Sequence, residues 1–262
     1  MAIAFACSFG ALAACGSGPI VDDELPVGLP DRNPVENTPI DGRADQAALG
    51  DSASPPPQDA GADTFVATQA ALLCSAPDLA LCFAFEGVVH DGSPSALTPT
   101  VSGVTFGPGK VGQAAIFGAA SYVRFAAAPA FEVTTATIEA WVKMAPNPSI
   151  DGVIFDDDNR ASLTILPDGT VLCKPNAAVV AAKIVANQWT HVACVFDGAN
   201  AHVYVAGDEV GSGAGAIPSS PMSTAAVGGN APSGEPFIGA IDSLRVFRVA
   251  RTPAQIAAAA GK

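Results

Sequence analysis

Bases and aromatics are scarce in this chain. Lysine and arginine number 12 against 25 aspartates and glutamates, a formal charge of −13. So few cations argue against a nucleic-acid partner, whose phosphates recruit Lys and Arg. Acidity of this size permits cation binding but is equally the ordinary route to solubility. Aromatics make up 6%, with two Trp and two Tyr, which leaves little for a long sugar-stacking platform. No apolar run is long enough to span a bilayer as a helix. Neither G-x-S-x-G nor H-E-x-x-H occurs. Close C-x₂₋₄-C pairs for zinc and a thioredoxin-like C-x-x-C are also missing.

What is there begins with Ala2 to Ala14, a stretch of apolar and small residues that fits the h-region of a secretory signal. Leu12-Ala13-Ala14-Cys15-Gly16 resembles the lipobox of bacterial lipoproteins. That resemblance implies lipidation at Cys15, with a signal over 1–15. Gly16 after the cysteine implies sorting to the outer membrane of a Gram-negative cell. No Lys or Arg precedes Cys15, so the basic n-region is missing: either the true start lies upstream or the signal does not work.

Cysteine usage agrees with export. Outside the signal stand Cys74, Cys82, Cys173 and Cys194, an even number for an oxidising compartment. Three pairings exist, and Cys74–Cys82 with Cys173–Cys194 joins the nearest in sequence.

Residues 16–72 hold eight prolines and ten acids against two bases. Low hydrophobicity with net negative charge cannot repay the entropy of folding. A disordered acidic tether is expected there, giving reach from a lipid surface, with a folded domain over 73–262. In that domain short apolar or alternating runs recur: 79–87, 112–118, 121–126, 136–145, 151–157, 161–167, 170–175, 189–198, 201–210, 223–229 and 239–250. Pro167-Asp168-Gly169 and Asp197-Gly198-Ala199-Asn200 are turns between them. This texture predicts an all-β, two-sheet antiparallel sandwich. Thr252-Pro253-Ala254-Gln255 predicts a capped, short C-terminal helix.

Five pieces in order, SYVRF, TIEAWVK, WTHVACVFDG, VYVAG and GAIDSLRVFRVARTPAQI, resemble the laminin G-like domains of the concanavalin A-like jelly-roll superfamily, over about residues 79–257. Alternation gives Ile138, Ala140, Val142 and Met144 one face, and Glu139, Trp141 and Lys143 the other. Val192, Cys194 and Phe196 likewise oppose Trp189, His191, Ala193 and Val195. Trp141 and Trp189 stand on framework strands, which favours packing over a sugar platform.

The resemblance also implies where chemistry could sit. Related glucanases place paired acids in E-x-D-x-x-E on one strand; no such run occurs here. His90, His191 and His202 are scattered, and His191 belongs to the W-x-H-V framework. A structural Ca²⁺ often lies where the first and last strands of this superfamily meet, and the matching positions are Asp242, Glu86 or Gly87, and Asp91. Strict alternation would put Asp242 on the face of Leu244 and Val246, where an acid needs a partner. Calcium is one candidate partner. Backbone N–H groups, or Arg124, Arg245 or Arg248, are the others. Asp156, Asp157, Asp158 and Asn159 form a second metal or ligand candidate, or a solvated hairpin loop.

The expected function is a non-catalytic module on the cell surface, binding carbohydrate or an envelope or surface protein, with Ca²⁺ as a structural cofactor. The alternatives are a structural envelope protein without a small ligand and a divergent polysaccharide-degrading enzyme.

Overall fold

The computed structural model describes residues 60–158, 160–174, 183–219, 224–230 and 234–262. The expected signal, the lipidation site Cys15, the tether up to residue 59 and Asn159 lie outside them.

Fourteen strands form two antiparallel sheets among the described residues. They are β1 Leu79–Phe83, β2 Thr100–Ser102, β3 Thr105–Pro108, β4 Gln113–Phe117, β5 Tyr122–Phe125, β6 Ala136–Met144, β7 Gly152–Asp157, β8 Ala161–Ile165, β9 Val171–Lys174, β10 Thr190–Phe196, β11 Asn200–Val205, β12 Asp208–Ala214, β13 Ala225–Val227 and β14 Gly239–Phe247. The larger sheet runs β12-β11-β10-β6-β14-β4-β3, with β1 also paired to β14; the smaller runs β2-β5-β13-β7-β8-β9. This is the two-sheet sandwich that the turn spacing predicts, closed by helix α2, Pro253–Ala259, with both bonds of its Thr252/Gln255 capping box made. Here α1 denotes the helix Ala60–Leu73.

The alternation in β6 and β10 is realised. Ile138, Ala140, Val142 and Met144 join Val192, Cys194 and Phe196 in the core between the sheets, in a register that sets Trp141 opposite His191 and Glu139 opposite Ala193. The smaller sheet adds Val123, Phe125, Phe155, Leu163 and Val227. Both expected disulfides are present. Cys173–Cys194 links β9 to β10 across the two sheets, and Cys74–Cys82 ties the chain just after α1 to β1.

Three expectations are corrected. First, residues 60–72, read as the end of the tether, are helical. This stretch has no proline and many alanines, which favour a helix, and Leu73, Cys74 and Ala76 just beyond pack on Leu79, Cys82 and Phe247. Second, strands β2 and β3 were not expected, and the run 201–210 is two strands, β11 and β12, turning at Ala206-Gly207. Third, Asp242 does not share a face with Leu244 and Val246. The β14–β6 register slips between Asp242 and Arg245, with Ser243 in the left-handed region at φ 52°. One extra residue in a strand inverts the alternation beyond it. Leu244 and Val246 therefore enter the core, whereas Asp242 faces outward opposite Trp141.

The outer face of the larger sheet is covered. Ile256 of α2 packs on Ala193, Val195 and Tyr204. Beside it, buried Glu139 receives the guanidiniums of Arg245 at 2.5 Å and Arg251 at 2.6 Å. Trp141 sits edge-on to His191, with centroids 5.6 Å apart, under the Lys110 ammonium at 4.2 Å. Trp189 lies below Lys143 at 5.3 Å. Trp141 is thus engaged in packing, and both tryptophans are half-buried.

Candidate functional site

Two of the acids expected to hold a metal converge on the tight turn between β3 and β4. The Asp242 carboxylate is fully buried. Its Oδ2 accepts from the backbone N–H of Lys110 at 2.8 Å and of Val111 at 3.0 Å, and its Oδ1 from the Ser243 hydroxyl at 3.0 Å. Glu86 Oε2 accepts from the N–H of Gln113 at 2.8 Å. Gly112 in this turn has φ 55°, which favours glycine, and its open side is filled by the Glu86 carboxylate. Burial raises the Asp242 carboxyl above its ordinary value, against the pull of its N–H and hydroxyl donors. Burial raises Glu86 as well, opposed by the Gln113 N–H and reinforced by the negative charge of Asp242. Of the partners open to Asp242 in the sequence, the backbone donors are realised in this geometry.

Asp91 is engaged elsewhere. Its Oδ1 accepts from the N–H of Cys82 and of Ser93, both at 3.0 Å, and its Oδ2 from the Ser93 hydroxyl at 3.0 Å and the Leu97 N–H at 2.8 Å. Four donors occupy this buried carboxylate and hold the loop after β1. Among the described residues no three His, Cys, Asp or Glu side chains group as a metal cage. Ca²⁺ accepts carbonyl and water oxygens beside one or two carboxylates. Of the expected acids, Glu86 and Asp242 are the two that meet at one turn, each already accepting from its backbone, with Gly87 next in the chain.

The acidic run 156–158 is not a solvated loop. Asp156 and Asp157 end β7 and are buried. They point to opposite sides, as alternation requires. Asp157 lies 3.6 Å from Arg160, whose guanidinium also reaches the carbonyls of Phe131 at 2.8 Å and Val133 at 2.9 Å. This makes Asp157 and Arg160 a brace for the neighbouring 3-10 turn, Pro129–Phe131.

Sequence reasoning missed the outer face of the smaller sheet. Register aligns Thr100, Arg124, Ala226, Asp156, Ser162 and Lys174 in one row across it. Asp156, Ser162 and Thr164 are buried, whereas Tyr122 and Arg124 are half-buried. At that end an open depression of about 260 Å³ is lined by Ala119, Ala120, Ser121, Tyr122, Arg124, Gly229, Gly234 and Pro236. The Arg124 guanidinium stacks 3.8 Å from the centre of the Tyr122 ring. The signal was in SYVRF: Val123 and Phe125 are the core pair, so Tyr122 and Arg124 must share the opposite face.

The laminin G-like family, described as the concanavalin A-like lectin/glucanases superfamily, matches residues 117–257. The chain belongs to this family. No curated protein matches it. Solved structures share the sandwich. Domain 4 of AbnA, a GH43 extracellular arabinanase from Geobacillus stearothermophilus, solved in complex with arabinotriose, is 24% identical over 70% of this chain and 98% of that one, with a TM-score of 0.59. The binding domain of Paraclostridial Mosquitocidal Protein 1 is 15% identical over 72% of this chain and 52% of its own, with a TM-score of 0.57. The binding domain of botulinum neurotoxin DC, solved in complex with rat synaptotagmin II, is 13% identical over 70% and 51%, with a TM-score of 0.52. The laminin G-like chain thus spans about half the length of the two toxin domains, and at these identities the likeness is one of fold. No helix among the described residues is long and apolar enough to cross a membrane.

Proposed function

We propose that this is a non-catalytic carbohydrate-binding module displayed outside the cell. The observation that carries the reading is the open depression beside Tyr122 and Arg124 on the outer face of the smaller sheet. A concave site with an aromatic ring and a few polar groups suits a sugar, and α2 and the packed Trp141 lie on the outer face of the other sheet. The arabinotriose held by a similar sandwich supports this ligand class. Two disulfides support an oxidising destination, and the likeness of Leu12 to Gly16 to a lipobox supports a lipid anchor at Cys15 on the outer membrane. A glycan array probed with the full chain tests the reading. Retention of at least one glycan is expected, with loss in Tyr122→Ala at unchanged circular dichroism; an array with no retained glycan sinks it.

Ca²⁺ is proposed as a structural ligand of Glu86 and Asp242, where its charge would neutralise two adjacent acids. A hundredfold excess over Kd stabilises by about 2.7 kcal/mol, on the order of 5–10 °C in Tm for a domain this size. CaCl₂ should raise Tm, EDTA should reverse the rise, and Asp242→Asn should remove it. An equal rise in Asp242→Asn would place the ion elsewhere.

A further inference from the structure

We propose that the depression selects acidic sugars, with Arg124 receiving the carboxylate of a uronic acid. This rests on the carbohydrate-binding reading above and names the ligand class.

The arginine is unusual in its surroundings. Among the described residues Arg124 forms no ion pair and donates no side-chain hydrogen bond; its Nε is buried and without an acceptor. Arg245 Nε is likewise without an acceptor, but the guanidiniums of the other arginines at issue are engaged: Arg160 binds carbonyls and Asp157, Arg245 and Arg251 bind Glu139, and Arg248 donates to the Ser95 hydroxyl. A buried donor without an acceptor is costly, and a guanidinium fork matches a carboxylate with two parallel N–H bonds. Stacking on Tyr122 fixes the plane of that fork, so little rotamer freedom remains to be lost on binding.

The neighbours agree. Across the row, Arg124 is flanked by Thr100 and Ala226, an uncharged hydroxyl and a methyl, which leave space beside the guanidinium. Asp156, the acid of the same row, stands one strand beyond Ala226 and is itself partnered, and Glu235, next in sequence to the depression lining, accepts from the Asn230 amide at 3.0 Å. Ser121 is no competing donor, since its hydroxyl is committed to the Gly103 carbonyl at 2.6 Å. Arg124 is thus the one cation among the residues lining the depression.

Calorimetry on the full chain tests this with paired probes: galacturonate, glucuronate and mannuronate trisaccharides against the matching neutral galacto-, gluco- and manno-trisaccharides. At least one uronate should bind tenfold or more tighter than its neutral partner. Arg124→Gln should erase that preference, and Arg124→Lys should restore only part of it, because an ammonium cannot make the paired bonds. Raising NaCl from 50 to 500 mM should weaken the uronate and leave any neutral sugar unchanged. Equal binding of acidic and neutral partners, or a preference that survives in Arg124→Gln, overturns the proposal while the carbohydrate-binding reading stands. Binding of none of the six, with a glycan array that is also empty, overturns both. Arg124→Gln breaks no hydrogen bond among the described residues, and its Tm checks that it folds.

Discussion

Glu139→Ala should destabilise the domain by about 3–5 kcal/mol, the usual cost of removing one partner from a buried ion pair. The carboxylate is wholly buried and is shared by Arg245 and Arg251, whose side chains are only 16% and 15% exposed. Alanine would leave two guanidiniums packed around the Phe247 ring, 5.4 and 4.5 Å away, with no counter-charge. His191 cannot compensate: burial, together with the charges of Arg245 and Arg251, holds its imidazole down at about 3, so it is neutral at physiological pH. Burial raises Glu139 too, against the pull of both arginines. The loss should concentrate at the C-terminus. Arg251 also donates its backbone N–H to Thr137 at 2.9 Å, and Thr137 donates to the Val249 carbonyl at 2.9 Å. This short segment leads into α2, so its release frees Ile256 from its seat. Urea denaturation would read the total, and hydrogen exchange over 251–262 would read the locality. A triple change, Glu139→Leu with Arg245→Met and Arg251→Leu, should recover most of the loss, since apolar groups of like volume often replace a buried ion network at no cost. If Glu139→Ala loses under 1 kcal/mol, the network is not a clasp.

This network shows where sequence reading reaches and where it stops. The alternation around Glu139 was plain, and it placed the glutamate correctly on the face away from the core. A charged residue on an outward face reads as solvated, however. What buries Glu139 is an arginine 112 residues away and a helix that folds back over the sheet. Asp242 fails differently. Its role as an acceptor for backbone donors was among the open readings, but its face was misplaced. The bulge at Ser243 follows no rule of composition: serine is not a residue that demands positive φ. β2 and β3 were missed because TVS and TFGP carry no apolar period and are held by pairing to β5 and β4. Tyr122 and Arg124 were read as parts of a framework strand, which they are. Only the structure shows that, among the described residues, they line an open depression.

Loss of the inter-sheet disulfide should be the second large effect. Cys173 and Cys194 are completely buried, and their link closes a loop of 21 residues. Loop-closure entropy alone assigns such a link about 3 kcal/mol. The pair also joins the two sheets where β9 faces β10, and it is the one disulfide between the layers among the described residues, so its removal leaves them to side-chain packing and the connecting loops. Cys173→Ala with Cys194→Ala is expected to lower Tm by about 6–12 °C. Cys74→Ala with Cys82→Ala removes a link that closes a loop of only eight residues and should cost less, about 2.5 kcal/mol by the same relation. It should act on the outer cluster of Leu79, Cys82 and Phe247 rather than on the core. Reductant access separates the two links. Cys74 is half-buried, whereas both partners of the inner link are sealed, and exchange requires a thiolate to reach a sulfur. In native buffer dithiothreitol should therefore open Cys74–Cys82 first and leave Cys173–Cys194 intact until the sandwich unfolds. Mass spectrometry after alkylation would order the two. Simultaneous opening in native buffer would mean that the sheets separate far more readily than this packing allows.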